Sequence, residues 1–270
     1  MLYEKMYRDA APEVCLSTFV MDPIPGMLEG DIRPAVVICP GGAYRYLSPR
    51  EAEPVALVFA AMGFNAFVAG YRVAPHCYPR PQQDAAAAVA WVRAHAGETH
   101  PHPDKIAIMG FSAGGHCAAS LGVWWPRADL WAELGLTPEQ VKPNALVLSY
   151  PVITGGEKAH RGSFENLTGS HDLDVHLRYS LETQVTAQTP PAFLWHTWTD
   201  AAVPGENSLL FALALKRHGV QAEMHLFPFG EHGASLCNPQ TSGTRSPHLN
   251  LPDCAQWPRM AADFLHRVLD

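Results

Sequence analysis

From residue 35 onward, short and almost wholly apolar runs alternate with helical patterns, and this alternation leaves few folds open. Ala35-Val36-Val37-Ile38-Cys39 has no polar position and stops at Pro40-Gly41-Gly42, so it reads as a strand covered on both faces. Residues 65–71, 105–110, 145–150, 193–197 and 222–227 repeat the pattern. Helices are expected between them: 49–62, stopped by Gly63, then one capped by Asp84 with Ala85, Ala88, Val89, Val92 and Ala96 on one face. Residues 113–123 follow, then a helix through Leu209, Leu213 and Lys216 that ends at Gly219. A closing helix places Trp257, Met260, Ala261, Phe264, Leu265 and Val268 on one face. Such alternation predicts an α/β fold, with a mainly parallel central sheet flanked by helices on both faces. Ligands of these sheets bind beyond the C-terminal ends of the strands, so the residues that end each strand matter most.

The 270 residues suffice for one large core, and no linker or repeat divides them, which predicts a single domain over 1–270. Residues 154–191 are polar and weakly periodic, and are expected to form a small cap or lid over the strand ends, or a contact for a second copy of the chain. A net charge of −7 argues against nucleic acid or an anionic membrane surface as partner. No apolar run approaches the roughly 18 residues of a membrane helix, and the opening MLYEKMYRDAAPEVCLSTF lacks the apolar centre of a secretory signal. With six scattered cysteines and no C-x-x-C pair, a cytoplasmic chain with reduced thiols is expected. Histidines number 14, but the richest cluster, His100-Pro101-His102-Pro103-Asp104, carries two prolines and reads as a loop, so no metal or organic cofactor is expected.

Gly110-Phe111-Ser112-Ala113-Gly114 joins a predicted strand directly to a predicted helix. A G-x-S-x-G in that setting is a tight turn that exposes the serine hydroxyl as a nucleophile. A serine needs a base, and Phe229-Gly230-Glu231-His232-Gly233 follows the last strand with glycines on both sides of the imidazole. The base needs a carboxylate to orient it, and Asp200 sits just past the fifth predicted strand. Asp172, Asp174, Asp253 and Asp263 are weaker choices because none ends a strand. The order Ser112, Asp200, His232 is that of α/β-hydrolases. Oxyanion donors are expected from the N–H groups of Gly42, Ala43 and Ala113.

Together these residues resemble the α/β-hydrolase superfamily, in particular small microbial carboxylesterases that include acetylxylan esterases, feruloyl-esterase-like (BD-FAE-like) proteins and hormone-sensitive-lipase-like esterases. Pro40-Gly41-Gly42-Ala43-Tyr44 stands where those esterases carry H-G-G-G-F/W, with proline in place of histidine and alanine in place of the third glycine. Tyr71-Arg72-Val73-Ala74-Pro75 with Asp84 is similar to Y-R-L-A-P…D, and these two charges are expected to be structural. The resemblance implies hydrolysis of short acyl esters, acetylated xylo-oligosaccharides among them, through an acyl-enzyme. Tyr44, Trp195 and Trp198 lie near the strand ends, where aromatic faces suit a sugar. A serine peptidase or aminoacyl hydrolase would use the same triad, although no acidic anchor for an amino terminus is evident. A non-catalytic binding protein would usually have lost a triad member, and all three are present.

Overall fold

The computed structural model describes residues 2–7, 14–21, 33–96, 101–244 and 246–269. Its frame is an eight-stranded sheet: β1 (Leu2–Tyr7), β2 (Cys15–Val20), β3 (Arg33–Cys39), β4 (Asn65–Ala69), β5 (Pro101–Phe111), β6 (Ala145–Ser149), β7 (Ala192–Thr197) and β8 (Ala222–Phe227), in the order 1-2-4-3-5-6-7-8. Strands β3 to β8 run parallel, while β2 pairs antiparallel with both β1 and β4. This is the α/β-hydrolase fold, with the mainly parallel sheet that the alternation predicts.

The all-apolar runs are explained by cover on both sides. Ala35, Val37 and Cys39 point to one face, where α2 (Arg80–Ala94) and α3 (Ala113–Trp124) bring Ala85, Val89, Cys117 and Leu121. Val36 and Ile38 point to the other, where α1 (Glu53–Ala61) brings Val55 and Phe59 and the C-terminal helix (Trp257–Leu269) brings Trp257 and Phe264. With neither face wet, no position in β3 favours a polar side chain.

Five elements depart from expectation. Strands β1 and β2 precede the first predicted strand; Ser17 and Thr18 at the centre of β2 interrupt the apolar pattern there, although both are buried. Helix α2 begins at Arg80-Pro81, so Asp84 lies inside it and caps nothing. Its buried carboxylate instead takes the backbone N–H of Arg72 at 2.9 Å and the guanidinium at 2.8 and 2.7 Å. The expected helix from Pro49 is split at Ala52 into a 3-10 turn (Pro49–Glu51) and α1, and Glu51 is buried at the break. The histidine-rich stretch is strand from Pro101, which pairs with Arg33; His100 itself lies outside the described residues.

Between β6 and β7 the chain forms α4 (Arg161–Thr168) and α5 (Leu173–Leu177). Beyond β7, α6 (Glu206–Arg217) buries Phe211, Ala214 and Leu215, whereas Leu209 and Leu213 face outward. Among the described residues no helix is long and apolar enough to cross a membrane.

Candidate active site

Strand β5 ends at Phe111 and α3 starts at Ala113, which leaves Ser112 alone to make the turn, with φ 53° and ψ −120°. A non-glycine residue there is disfavoured and persists only where its surroundings fix it. Those surroundings require glycine at two points. A Cβ on Gly110 would lie 2.1 Å from the carbonyl oxygen of Gly114, and one on Gly114 would lie 2.2 Å from that of Cys39. The elbow is therefore wedged against the end of β3, and any side chain at either glycine would push the serine out of place.

Two loops from neighbouring strand ends meet Ser112. His232 Nε2 lies 2.7 Å from Ser112 Oγ, and His232 Nδ1 lies 2.6 Å from Asp200 Oδ2. The other carboxylate oxygen of Asp200 accepts the N–H groups of Ala202 and Val203 at 3.0 and 2.9 Å. A second imidazole, buried His196, stands 3.4 Å from Oδ2. Its Nε2–H also donates to the Val203 carbonyl at 2.8 Å, so Nδ1 is the acceptor for the Ser208 hydroxyl at 2.8 Å. Burial alone would raise the Asp200 pKa, but the hydrogen bonds from His196 and His232 outweigh it and hold the carboxyl well below the usual carboxylate range. Asp200 is thus an anion surrounded by donors. The Thr197 hydroxyl bonds the Gly230 carbonyl at 2.8 Å, tying the histidine loop to the end of β7.

The loop after β3 supplies N–H groups beside the serine. In a trans peptide, C=O and N–H point in opposite directions. The Gly41 carbonyl is held inside the loop by the Ser48 N–H at 2.9 Å, and the Gly42 carbonyl by those of Arg45 and Tyr46 at 2.9 and 3.2 Å. The N–H groups of Gly42 and Ala43, in those same peptides, must then point out of the loop. A Cβ on Gly41 would be 3.0 Å from Ser112 Cβ, which places the loop directly against the elbow. At the first position of α3, the Ala113 N–H has no acceptor within its helix.

The three aromatic residues expected near a substrate separate. Trp198 is 69% exposed, but Tyr44 and Trp195 are 1% and 0% exposed, so neither can stack on a sugar. Strand parity is the reason for Trp195: with Phe193 it faces the C-terminal helix, where it stacks on Trp257 with ring centroids 5.4 Å apart. Tyr44 turns under the loop, and its hydroxyl bonds His116 Nδ1 at 2.9 Å.

The geometry has a sequence-level counterpart. The BD-FAE family model matches residues 24–215. The chain belongs to the BD-FAE family. It is 37% identical over 215 residues to endo-1,4-beta-xylanase B of Butyrivibrio fibrisolvens, covering 76% of this chain and 33% of that protein. It is 30% identical over 206 residues to acetylxylan esterase of Xylanibacter ruminicola, covering 74% of this chain and 40% of that one. The chain thus spans well under half the length of these two relatives. The crystal structure of the acetyl ester-xyloside bifunctional hydrolase from Caldicellulosiruptor lactoaceticus matches 94% of this chain and 88% of its own, with TM-score 0.78 and 35% identity.

Around this BD-FAE site stand polar residues that the motifs do not reveal. Glu51, 3% exposed, accepts the Gly41 N–H at 2.9 Å and the Tyr150 hydroxyl at 2.7 Å. The Tyr150 hydroxyl in turn accepts the Ser235 N–H at 2.9 Å, and its ring lies edge-on to His232 with centroids 5.0 Å apart. One carboxylate thereby links the loop after β3 to the loop that carries His232. His116, one turn into α3, is wholly buried between Tyr44 and the Tyr179 carbonyl, 2.9 Å from Nε2. A histidine inside a buried helix face and another, His196, inside a buried strand are the signals that point to such partners.

His116 predicts how stability depends on pH. Burial pushes its pKa down to about 4, against the opposing pull of the hydrogen bond to Tyr179. An unfolded histidine titrates near 6.5, so between the two values the unfolded chain binds the proton and the folded chain does not. Stability should therefore fall as pH drops through that window, by about 3 kcal/mol at its lower end from this residue alone. Denaturant melts at pH 7, 6 and 5 should show the decline, and His116→Asn should flatten it. An unchanged slope in that variant would assign the effect to other groups. Asp200 acts in a different window: its depressed pKa adds stability that is present above the unfolded carboxylate value near 4 and is lost as pH falls further.

Proposed function

We propose that this chain is a serine carboxylesterase that cleaves short acyl esters, with acetylated xylo-oligosaccharides as its substrate class. The observation that carries the reading is the continuous line from Asp200 Oδ2 through His232 to Ser112 Oγ, with contacts of 2.6 and 2.7 Å, beside outward-pointing backbone N–H groups. His232 Nε2 takes the hydroxyl proton as Oγ bonds to the carbonyl carbon, and the carbonyl electron pair moves onto its oxygen. The N–H groups of Gly42, Ala43 and Ala113 hold that oxyanion, and the positive end of α3 adds to the field. Asp200 stabilises the imidazolium, which then protonates the departing alcohol. Water attacks the acyl-enzyme by the same route in reverse roles, and the acid leaves with Ser112 restored.

The acyl and alcohol preferences rest on what the relatives are named for: acetylxylan esterase, and acetyl ester and xyloside hydrolysis. Exposed Trp198, two residues before Asp200, is the aromatic face left to meet a sugar on the alcohol side.

The test is a panel of nitrophenyl acetate, acetylated xylo-oligosaccharides and aminoacyl anilides, with a fluorophosphonate used to tag the nucleophile. Ester turnover is expected with little anilide cleavage, and peptide mass mapping should place the phosphonyl group on Ser112. Trp198→Ala should raise KM for the oligosaccharide and leave that for nitrophenyl acetate nearly unchanged. Dominant anilide cleavage would favour an aminoacyl hydrolase. A tag on any other residue would remove the mechanism.

A further inference from the structure

The segment between β6 and β7 reaches the loop after β3 by two routes, one direct and one through His116 of α3. Asn166, on α4, donates its side-chain N–H to the Ala43 carbonyl at 2.9 Å. The Tyr179 carbonyl, just beyond α5, accepts the Nε2–H of His116 at 2.9 Å, and the other nitrogen of that ring accepts the Tyr44 hydroxyl at 2.9 Å. These two tethers end on neighbouring residues, Ala43 and Tyr44, and both have φ 55°. Consecutive L-residues in the left-handed region are sterically disfavoured and need outside contacts to stay there.

The segment itself is fastened firmly enough to serve as an anchor. Asn207 accepts the N–H groups of Ile153 and Thr154 at 2.9 and 3.0 Å and donates to the Lys158 carbonyl at 2.9 Å. Arg161 bonds the carbonyls of Gly155 and Gly156 at 2.7 and 2.6 Å, and the Leu167 carbonyl accepts the Tyr78 N–H at 2.7 Å. Such a segment is ill suited to swing as a lid.

We propose that it is a fixed buttress of the oxyanion hole, with Asn166 and His116 as positioning residues that hold Ala43 and Tyr44 left-handed. This rests on the esterase reading above. With the tethers in place, the Gly42 and Ala43 N–H groups stay aimed at the reacting carbonyl. Without them, the loop relaxes toward ordinary backbone angles and the donors turn away. The cost falls on the tetrahedral state, where the charge develops, and hardly on substrate binding.

The test compares wild type with Asn166→Ala, Asn166→Asp and Tyr44→Phe. Asn166→Asp keeps the shape but turns a donor toward Ala43 into an acceptor, and Tyr44→Phe removes only the hydroxyl that reaches His116. Kinetics on nitrophenyl acetate are normalised to active sites titrated with a fluorophosphonate, so a loss of folded protein does not count as a loss of rate. The expected result is a fall in kcat of roughly 10-fold to 100-fold with KM little changed, because a positioned donor is worth up to about 10³ in rate. Affinity for an alkyl boronic acid, which forms a tetrahedral adduct on the serine, should fall by the same factor. A lower melting temperature with kcat and boronate affinity kept within twofold would overturn the buttress, as would a change in KM alone. Ser112→Ala separates the two ideas. If turnover does not need Ser112, both fall; if it does and the Asn166 variants keep their rate, only the buttress falls.

Discussion

Replacing Ser112 with alanine should lower kcat for nitrophenyl acetate by about 10⁵-fold to 10⁶-fold, the scale seen when a triad nucleophile is removed. The residual rate is what the oxyanion donors and the bound geometry supply without a covalent intermediate. The fold should survive the change. Alanine keeps the Cβ, so the strained turn at φ 53° is no worse, and the glycines at 110 and 114 still fit the ends of β5 and β3. The melting temperature should therefore shift by only a few degrees, the usual size for a change of about 1 kcal/mol. Adding His232→Ala should cost almost nothing more, because a base has no task once its nucleophile is gone. Steady-state rates for both single variants and the double variant are the measurement. Losses that multiply, or turnover in Ser112→Ala within tenfold of wild type, would mean that the reaction does not pass through this serine.

The sequence carries the elbow clearly because its constraint is local. Gly110 and Gly114 are forced by contacts of a Cβ with backbone 2.1 to 2.2 Å away, and such forcing shows as a fixed spacing. The strands are equally legible wherever both faces are dry, as in β3 and β5. β2 is not, because Ser17 and Thr18 are buried in it by pairing with β1 and β4, and no local pattern announces that. Asp84 shows the same limit at one residue. Its position near a helix start suggests a cap, but the carboxylate answers Arg72 from the strand-end region before it.

The support around the site is harder to read for a geometric reason. Glu51, His196 and Asn166 lie 61, 84 and 54 positions from Ser112, on three different elements, and each meets the site through side-chain contacts that no local spacing records. Tyr44 and Trp195 illustrate the converse error, since nearness to a strand end does not make a side chain accessible. In β7 the alternation of faces sends Phe193 and Trp195 to the C-terminal helix and leaves His196 on the opposite side, beside Ser208 of α6. Counting parity from Phe193 would have placed the tryptophan in the core.

Asp200→Asn should lower kcat by roughly 10⁴-fold, although the two side chains have the same shape. Every neighbour of the carboxylate is a donor. Oδ1 receives two backbone N–H groups, at 3.0 and 2.9 Å, and Oδ2 faces the two imidazoles, at 2.6 and 3.4 Å. An asparagine must put its NH₂ on one of these sides. On the Oδ1 side it would meet the N–H groups of Ala202 and Val203 and leave all of them unpaired, so the amide oxygen takes that side instead. The NH₂ then faces His232 Nδ1, and the ring responds by moving its proton to Nε2. That nitrogen now donates toward Ser112 Oγ at 2.7 Å and has no lone pair to accept the hydroxyl proton. His196 cannot relieve the conflict, because its Nε2–H is committed to the Val203 carbonyl and its Nδ1 to Ser208. KM should change little, since nothing that binds the ester has moved, and the fall should appear equally in kcat and kcat/KM. Asp200→Ala offers the contrast: it leaves the histidine free to turn over both tautomers, so its loss should be smaller than that of the isosteric asparagine if the wrong tautomer is the cause. Equal losses in the two variants would instead locate the role of Asp200 in its charge, and a loss below tenfold in Asp200→Asn would remove Asp200 from the triad.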